Sequence, residues 1–251
     1  RNAKYSRSGL DHILQQYFGD MRMSESLKPV LLPTYDMSRA RPFLLTSHIP
    51  EITAGDLHPA MDPSTPRFLM RDAIRATSAA PTFFSPVKIY SIDENNNKTP
   101  DHYTMIDGGI YANNPSIPTL EYARRLYPEA AMRDFIMVSL GTGELNTVHS
   151  YKKVRKWTLF HWIKPVIEMM MDGSRDMSHM VIESLLNNGI YTNQKQYFRF
   201  NNELSKASHG MDDYSSTNIE NLKQDAYKVI SEKEDDITKL IELLQIQKDP
   251  F

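Results

Sequence analysis

Met105-Ile106-Asp107-Gly108-Gly109-Ile110-Tyr111-Ala112-Asn113-Asn114-Pro115 packs a strand end, a double-glycine turn and a helix start into one short stretch. Few chain paths satisfy all three. The strand must end near Asp107, and the backbone must then turn at once, where glycine permits close approach. A helix must begin after Asn114, whose side chain can cap it, while Pro115 takes a first-turn position that needs no N–H. A strand, turn and helix in this order belong to α/β architecture, where ligands gather at the carboxyl ends of strands. Asp and Gly are also common turn formers, so Asp-Gly-Gly alone is an ordinary turn. The neighbouring segments give it weight.

Leu10, Ile13, Leu14, Tyr17 and Phe18 recur at helical spacing and predict a first helix, capped by Ser8 and ended by Gly19. A short helix follows at 24–27. Apolar runs at 29–35 and 42–47 predict two strands joined by the polar turn 36–41. Residues 50–66 carry Pro50, Pro59, Pro63 and Pro66 and read as a surface loop. A helix is predicted over 67–76, strands at 87–92 and 103–106 around a polar turn, and a helix from Pro115 to Tyr127. Phe135-Ile136-Met137-Val138 is apolar throughout, the pattern of a strand covered on both faces, as in a parallel sheet. It leads into Ser139-Leu140-Gly141-Thr142-Gly143, a second glycine turn at a strand end, and the glycine turns together suggest one shared rim. Two or three helices fill 152–188 and two more form the tail, the last opening on the acidic run 231–236. No repeat or linker interrupts this order, so residues 1–251 read as one domain.

The composition, 40% apolar and 24% charged, is that of a globular chain. A net charge of −2 gives no general attraction to nucleic acid. The absence of cysteine excludes disulfides, thiolate metal sites and a Cys nucleophile. None of the histidines has the His-Glu-x-x-His spacing, and His102 reads as a surface or packing residue. Gly141-Thr142-Gly143-Glu144 lacks the lysine of a phosphate loop. No run approaches the roughly 18 apolar residues of a membrane span. Trp157-Thr158-Leu159-Phe160-His161-Trp162-Ile163 holds both tryptophans and follows Lys152, Lys153, Arg155 and Lys156. A buried helix with a charged end and a set of rings at a membrane interface are both open readings of it.

Three blocks carry a resemblance. Ala76-Thr77-Ser78-Ala79-Ala80-Pro81-Thr82-Phe83-Phe84-Ser85-Pro86, then Ile106 to Ser116, then Val138-Ser139-Leu140-Gly141-Thr142-Gly143, taken in this order, resemble the later two-thirds of a patatin-like phospholipase domain. The resemblance implies an α/β fold, a three-layer α/β/α sandwich with a central, mostly parallel sheet. It implies a serine lipid acyl hydrolase of the phospholipase A or lysophospholipase type, with a Ser–Asp dyad and neither metal nor cofactor. Asp107 matches the dyad aspartate, and Gly108 and Gly109 match its turn. Thr77, Ser78, Ala79, Ala80 and Pro81 would form the wall beside it. The implied partners are a phospholipid or other acyl-ester substrate, met by peripheral contact with a membrane, and no nucleic acid. The implied location is the cytoplasm or a membrane surface. The family's serine lies in Gly-x-Ser-x-Gly, which this sequence does not contain, and the glycine-rich oxyanion segment is absent too. Asp107 is therefore half a dyad. The chain is expected to be the C-terminal portion of a patatin-like domain whose missing N-terminal segment supplies the serine, and to be inactive alone. The alternative is a non-catalytic lipid- or protein-binding module on the same scaffold.

Overall fold

The structure, a computed structural model, describes residues 3–49, 60–62, 64–95, 97–144, 148–208 and 210–246. Most of the proline-rich loop read at 50–66 lies outside the described residues. The chain gathers into two compact units, 1–130 with 163–181, and 131–162 with 182–251.

The first unit is built on four antiparallel strands. β1 (Leu31–Asp36) and β2 (Arg41–Thr46) form a hairpin, as do β3 (Val87–Ile92) and β4 (Lys98–Asp107), and the order across the sheet is β2-β1-β4-β3. The hairpins join through a short β1–β4 ladder in which Thr34 faces Asp107 and Asp36 faces Met105. Successive residues of a strand point to opposite faces. Phe43 and Leu45 enter a core with Phe68, Ala73, Ile89 and Met105, where the Tyr103 ring lies 5.2 Å from that of Phe43 and 5.3 Å from that of Phe68. Leu44, between them in sequence, enters a second cluster with Met61 and Tyr122. Helix α1 (Ser8–Phe18) packs on α2 (Met70–Thr77), and α2 packs on β1, β3 and β4. The short α3 (Gly109–Ala112) and α4 (Ser116–Leu126) follow the Asp107 turn, and Tyr122 of α4 lies in the Leu44 cluster. Helices therefore cover both faces of this sheet. The helix starts one residue later than expected: Pro115, not Asn114, holds the cap position of α4, and Asn114 just before it accepts at Oδ1 from the N–H and hydroxyl of Ser116.

In the second unit, β5 (Met137–Leu140) pairs in parallel with β6 (Tyr197–Phe200). Between them run α5 (Tyr151–Val154) and the 28-residue α6 (Leu159–Leu186), which carries Pro165 and contributes residues to both units. The tail is α7 (Ser216–Glu232) and α8 (Glu234–Ile246). Tyr197, Phe198, Ile182 and Leu186 are fully buried. No helix among the described residues is long and apolar enough to cross a membrane.

Several expectations change. The α/β class holds, but the main sheet is antiparallel, and among the described residues β5 and β6 form the parallel ladder, beside isolated parallel bridges at Leu44–Met61 and Glu144–Glu203. The strand predicted at 135–138 is not covered on both faces: it starts at Met137, Val138 is exposed and Leu140 is 76% exposed. An unbroken apolar run does not distinguish two-sided burial from an apolar strand that is half open. Ser8 does not cap α1; Arg7 holds that position without a side-chain bond, while Gly19 does end the helix, at φ 48°. The short helix at 24–27 is a 3₁₀ turn at Met23–Glu25. His102 lies inside β4, which begins at Lys98 rather than Tyr103.

Candidate active site

Asp107 is the last residue of β4. Its ladder to β1 ends at Thr34, and the next residue of β1 is Pro33, which has no N–H to extend it. The chain leaves the sheet there. A Cβ on Gly108 would lie 2.4 Å from both the carbonyl carbon and the oxygen of Pro33, so only glycine fits between the turn and β1. The Gly109 N–H donates to Asp107 Oδ1 at 2.7 Å. Tyr111 closes the turn from the other side, its hydroxyl donating to the Thr34 carbonyl at 3.1 Å. Burial pushes the Tyr111 phenol up, beyond the hydrogen bonds that oppose this, so it stays a neutral donor.

The proposed wall reaches the same place. The Asp107 N–H donates to the Ala79 carbonyl at 3.1 Å, so the strand end is tied directly to the segment after α2. Thr77 Oγ1 donates to the Pro33 carbonyl at 2.7 Å, bringing Thr77 and Gly108 to one peptide group of β1. Ser78 bonds back into its own helix, to the Ile74 carbonyl at 2.8 Å. Ala79 is buried. The Ala80 carbonyl accepts from the N–H groups of Phe83 and Phe84, which folds Pro81 and Thr82 into a turn. Thr82 has φ 75°, a conformation that costs a β-branched residue free energy. The Thr82 and Phe83 carbonyls accept from the N–H groups of Lys4 and Tyr5.

The carboxylate at the centre is half-buried, and that burial raises its pKa above the ordinary aspartate value; the Gly109 N–H opposes this. Oδ1 is pinned, while Oδ2 has no hydrogen-bond partner among the described residues. One oxygen is oriented and the other keeps its lone pairs for a proton. No cluster of three metal-ligating side chains occurs among the described residues. The Ser139–Gly143 segment lies in the second unit, where Gly141 N–H donates to the Phe200 carbonyl and Gly143 N–H to Asn201 Oδ1.

Sequence reasoning missed two supports of the Asp107 turn. Pro33 reads only as a strand residue, and its carbonyl gathers Thr77 and Gly108 from positions far along the chain. Tyr111 lies inside the quoted motif, but nothing in the spacing says that its hydroxyl returns to Thr34.

The family described as patatin-like phospholipase matches residues 1–120. The chain is similar to patatin-like protein 1 of Arabidopsis thaliana, 27% identical over 253 residues, which is 92% of this chain and 56% of that protein. It is 30% identical over 174 residues to patatin-like protein 6 of the same plant, covering 67% of this chain and 32% of that protein. Patatin-like protein 2 of Oryza sativa subsp. indica is 27% identical over 240 residues, 87% of this chain and 56% of that protein. The chain thus spans between a third and a little over half the length of these relatives. With the Asp-Gly-Gly turn and its wall drawn together at the end of β4, and relatives of one kind aligned along most of its length, the chain belongs to the patatin-like phospholipase family.

Proposed function

We propose that the protein to which this chain belongs hydrolyses acyl esters of phospholipids or related lipids, with Asp107 as the base for a serine supplied by sequence preceding Arg1. The observation that carries this reading is the Asp107 carboxylate itself: half-buried, raised in pKa, fixed through Oδ1 and open at Oδ2. A serine hydroxyl is a weak nucleophile until a neighbour takes its proton. Asp107 would accept that proton as Oγ attacks the ester carbonyl. It would return it to the alcohol that leaves, and then take a proton from the water that releases the fatty acid. A free carboxylate is a weak base, with a pKa near ~3.9, and partial burial moves it toward the working range. Family membership supports the lipid substrate. Gly108 and Gly109 would set the turn, and Thr77, Ser78, Ala79, Ala80 and Pro81 the wall beside the substrate.

The test is turnover of a chromogenic acyl ester by the longer protein with and without Asp107→Asn. The expected loss in kcat is about 10²–10⁴-fold, the range for removing a general base. Equal turnover would remove Asp107 from the chemistry. The chain alone is expected to show no turnover. A second reading rests on the lack of Gly-x-Ser-x-Gly in the sequence: a binding module without catalysis. Lipid binding without turnover by the extended protein would favour it.

A further inference from the structure

Two features of the segment around α5 are not used by the chemistry at Asp107. The first is apolar exposure. Val148 is 91% exposed, Tyr151 78%, Leu159 78% and Phe160 84%. Leu159 and Phe160 open α6, where Thr158 caps the helix and its hydroxyl lies 2.7 Å from His161 Nδ1. The last ring of this turn is not loose: Trp157 packs edge-on against Trp162 at 4.8 Å and against His149 at 4.9 Å. A braced ladder of rings thus supports the start of a helix whose first two side chains are left in water.

The second feature is charge. Between Glu144 and Glu168 the sequence has no acidic residue. Lys152, Lys153, Arg155 and Lys156 are all exposed, and none forms an ion pair with a described residue. The chain as a whole is net negative, so this cationic stretch runs against the overall balance. Cations alone would suit any polyanion. Exposed leucine, phenylalanine and valine beside them find nothing to bury against on a nucleic acid backbone, but they do at an acyl boundary below anionic head groups. Indole rings favour that same depth.

We propose that the α5 segment and the first turn of α6 dock this protein on an anionic lipid surface. Leu159 and Phe160 enter the acyl boundary, Trp157 and Trp162 lie at head-group depth, and Lys152, Lys153, Arg155 and Lys156 meet lipid phosphates and carboxylates. The docking does not depend on Asp107 or on turnover.

Both tryptophans of the chain lie in this patch, so tryptophan emission, excited at the red edge where tyrosine does not absorb, reads this patch. The chain is sedimented with phosphatidylcholine vesicles prepared with and without phosphatidylserine, and its emission is followed with and without brominated acyl chains. Partitioning about tenfold or more stronger with phosphatidylserine, a blue shift and quenching by bromine are expected. Removing each cation should lower partitioning about fivefold at low salt, so Lys152→Glu, Lys153→Glu, Arg155→Glu and Lys156→Glu together should abolish it. Leu159→Ser with Phe160→Ser should remove the blue shift and the quenching. These side chains face solvent, so circular dichroism should be unchanged in every variant. Failure to partition, partitioning that ignores both sets of variants, or emission that does not move would overturn the proposal. So would binding of a short RNA as tightly as vesicles, insensitive to the Leu159 and Phe160 changes.

Discussion

Asp107 and Asp225 are both withdrawn from water, one in each compact unit, yet they are held in opposite ways. Asp107 receives one hydrogen bond, from the Gly109 N–H, and burial leaves its pKa above the ordinary value. Asp225, inside α7, receives four: the N–H groups of Ser205, Lys206 and Ala207, and the Ser205 hydroxyl at 2.6 Å. Burial pushes the Asp225 carboxyl up as well, but the Ser205 hydroxyl and the three N–H groups outweigh it, and the pKa falls to about 2. Desolvation is common to both, so the number of donors aimed at the charge decides the outcome. A carboxylate with four donors is an anchor that gives up its proton early and keeps a loop on a helix. A carboxylate with one donor and a free oxygen is fit to take a proton and return it.

The largest effect that would break this contrast is on activity. In the longer protein, Asp107→Asn should cost about 10²–10⁴ in kcat and little in melting temperature. Asp225→Asn should do the reverse, losing stability while the kcat of the folded fraction stays near wild type. If Asp225→Asn impaired turnover as much as Asp107→Asn, donor count would not separate the two roles. The next effect is steric and confined to the first turn. Gly108→Ala puts a Cβ against the Pro33 backbone, which cannot yield as a flexible side chain would, and should destabilise by about 3 kcal/mol in chemical denaturation. Gly109→Ala is tight only against Asp107 Oδ1, at 3.2 Å, with Asn113 Oδ1 at an ordinary 3.8 Å, and should cost under about 1 kcal/mol while disturbing the carboxylate. A Gly108→Ala protein as stable as the parent would mean that β1 and the Asp107 turn are not in contact.

The anchor should show itself in acid. Hydrogen bonds to a charged group are worth about 2 kcal/mol, so Asp225→Asn should lose stability of that order at neutral pH. The folded-state pKa of Asp225 is about 2, below an unfolded value near ~3.9. Between these the unfolded chain binds more protons, so stability rises with pH; the contribution is complete above the unfolded pKa and fades as pH falls through about 2. Asp107 has the opposite sign. Its folded pKa is raised, so the native state holds the proton longer, and its contribution favours the fold in acid and declines as pH rises through the folded pKa. Differences in unfolding free energy between wild type and each variant, measured from acid to neutral pH, should therefore slope in opposite directions. Parallel slopes would mean that the two carboxylates share one environment.

Much of the first unit was legible because its signals are local. Polar turns between short apolar runs marked both hairpins, and Asn114-Pro115 marked the start of α4. The Asp-Gly-Gly turn was legible for the same reason, since glycine there answers to a backbone only a few ångströms away. Strand pairing was not. Phe135–Val138 is as apolar as a strand sandwiched between helices, and no residue in it reports that Leu140 would stand in water. The early start of β4 was hidden because Lys98, Asp101 and His102 lie on an exposed stretch whose pairing to β3 depends on backbone rather than on hydrophobic pattern. Asp225 was invisible for a different reason. In an amphipathic helix it looks like one more solvated acid, and its donors come from a loop about twenty residues earlier. Contacts made across such separations leave no periodic trace in the sequence.

The smallest expected effect concerns strain, which also separates the two sites. Thr82, in the turn after Pro81, is a β-branched residue at φ 75°, and the Ser205–Ala207 loop that holds Asp225 contains no non-glycine residue at positive φ. Left-handed backbone costs such a residue roughly 1–2 kcal/mol, of which glycine returns a part to unfolded-state entropy. Thr82 is exposed, so its side chain gives up little when removed. Thr82→Gly should therefore stabilise the protein by somewhat under about 1 kcal/mol, a rise of roughly 2 °C in melting temperature. The same change loosens the turn that fixes Ala80, the neighbour of the carbonyl that receives the Asp107 N–H. If strain there helps to hold the carboxylate in place, turnover by the longer protein should fall severalfold even as the melting temperature rises. A rise in stability with unchanged turnover would confine Thr82 to the turn's geometry. A fall in stability would show that the threonine side chain contributes more than its backbone costs, and the strained wall would no longer distinguish the Asp107 site from the Asp225 anchor.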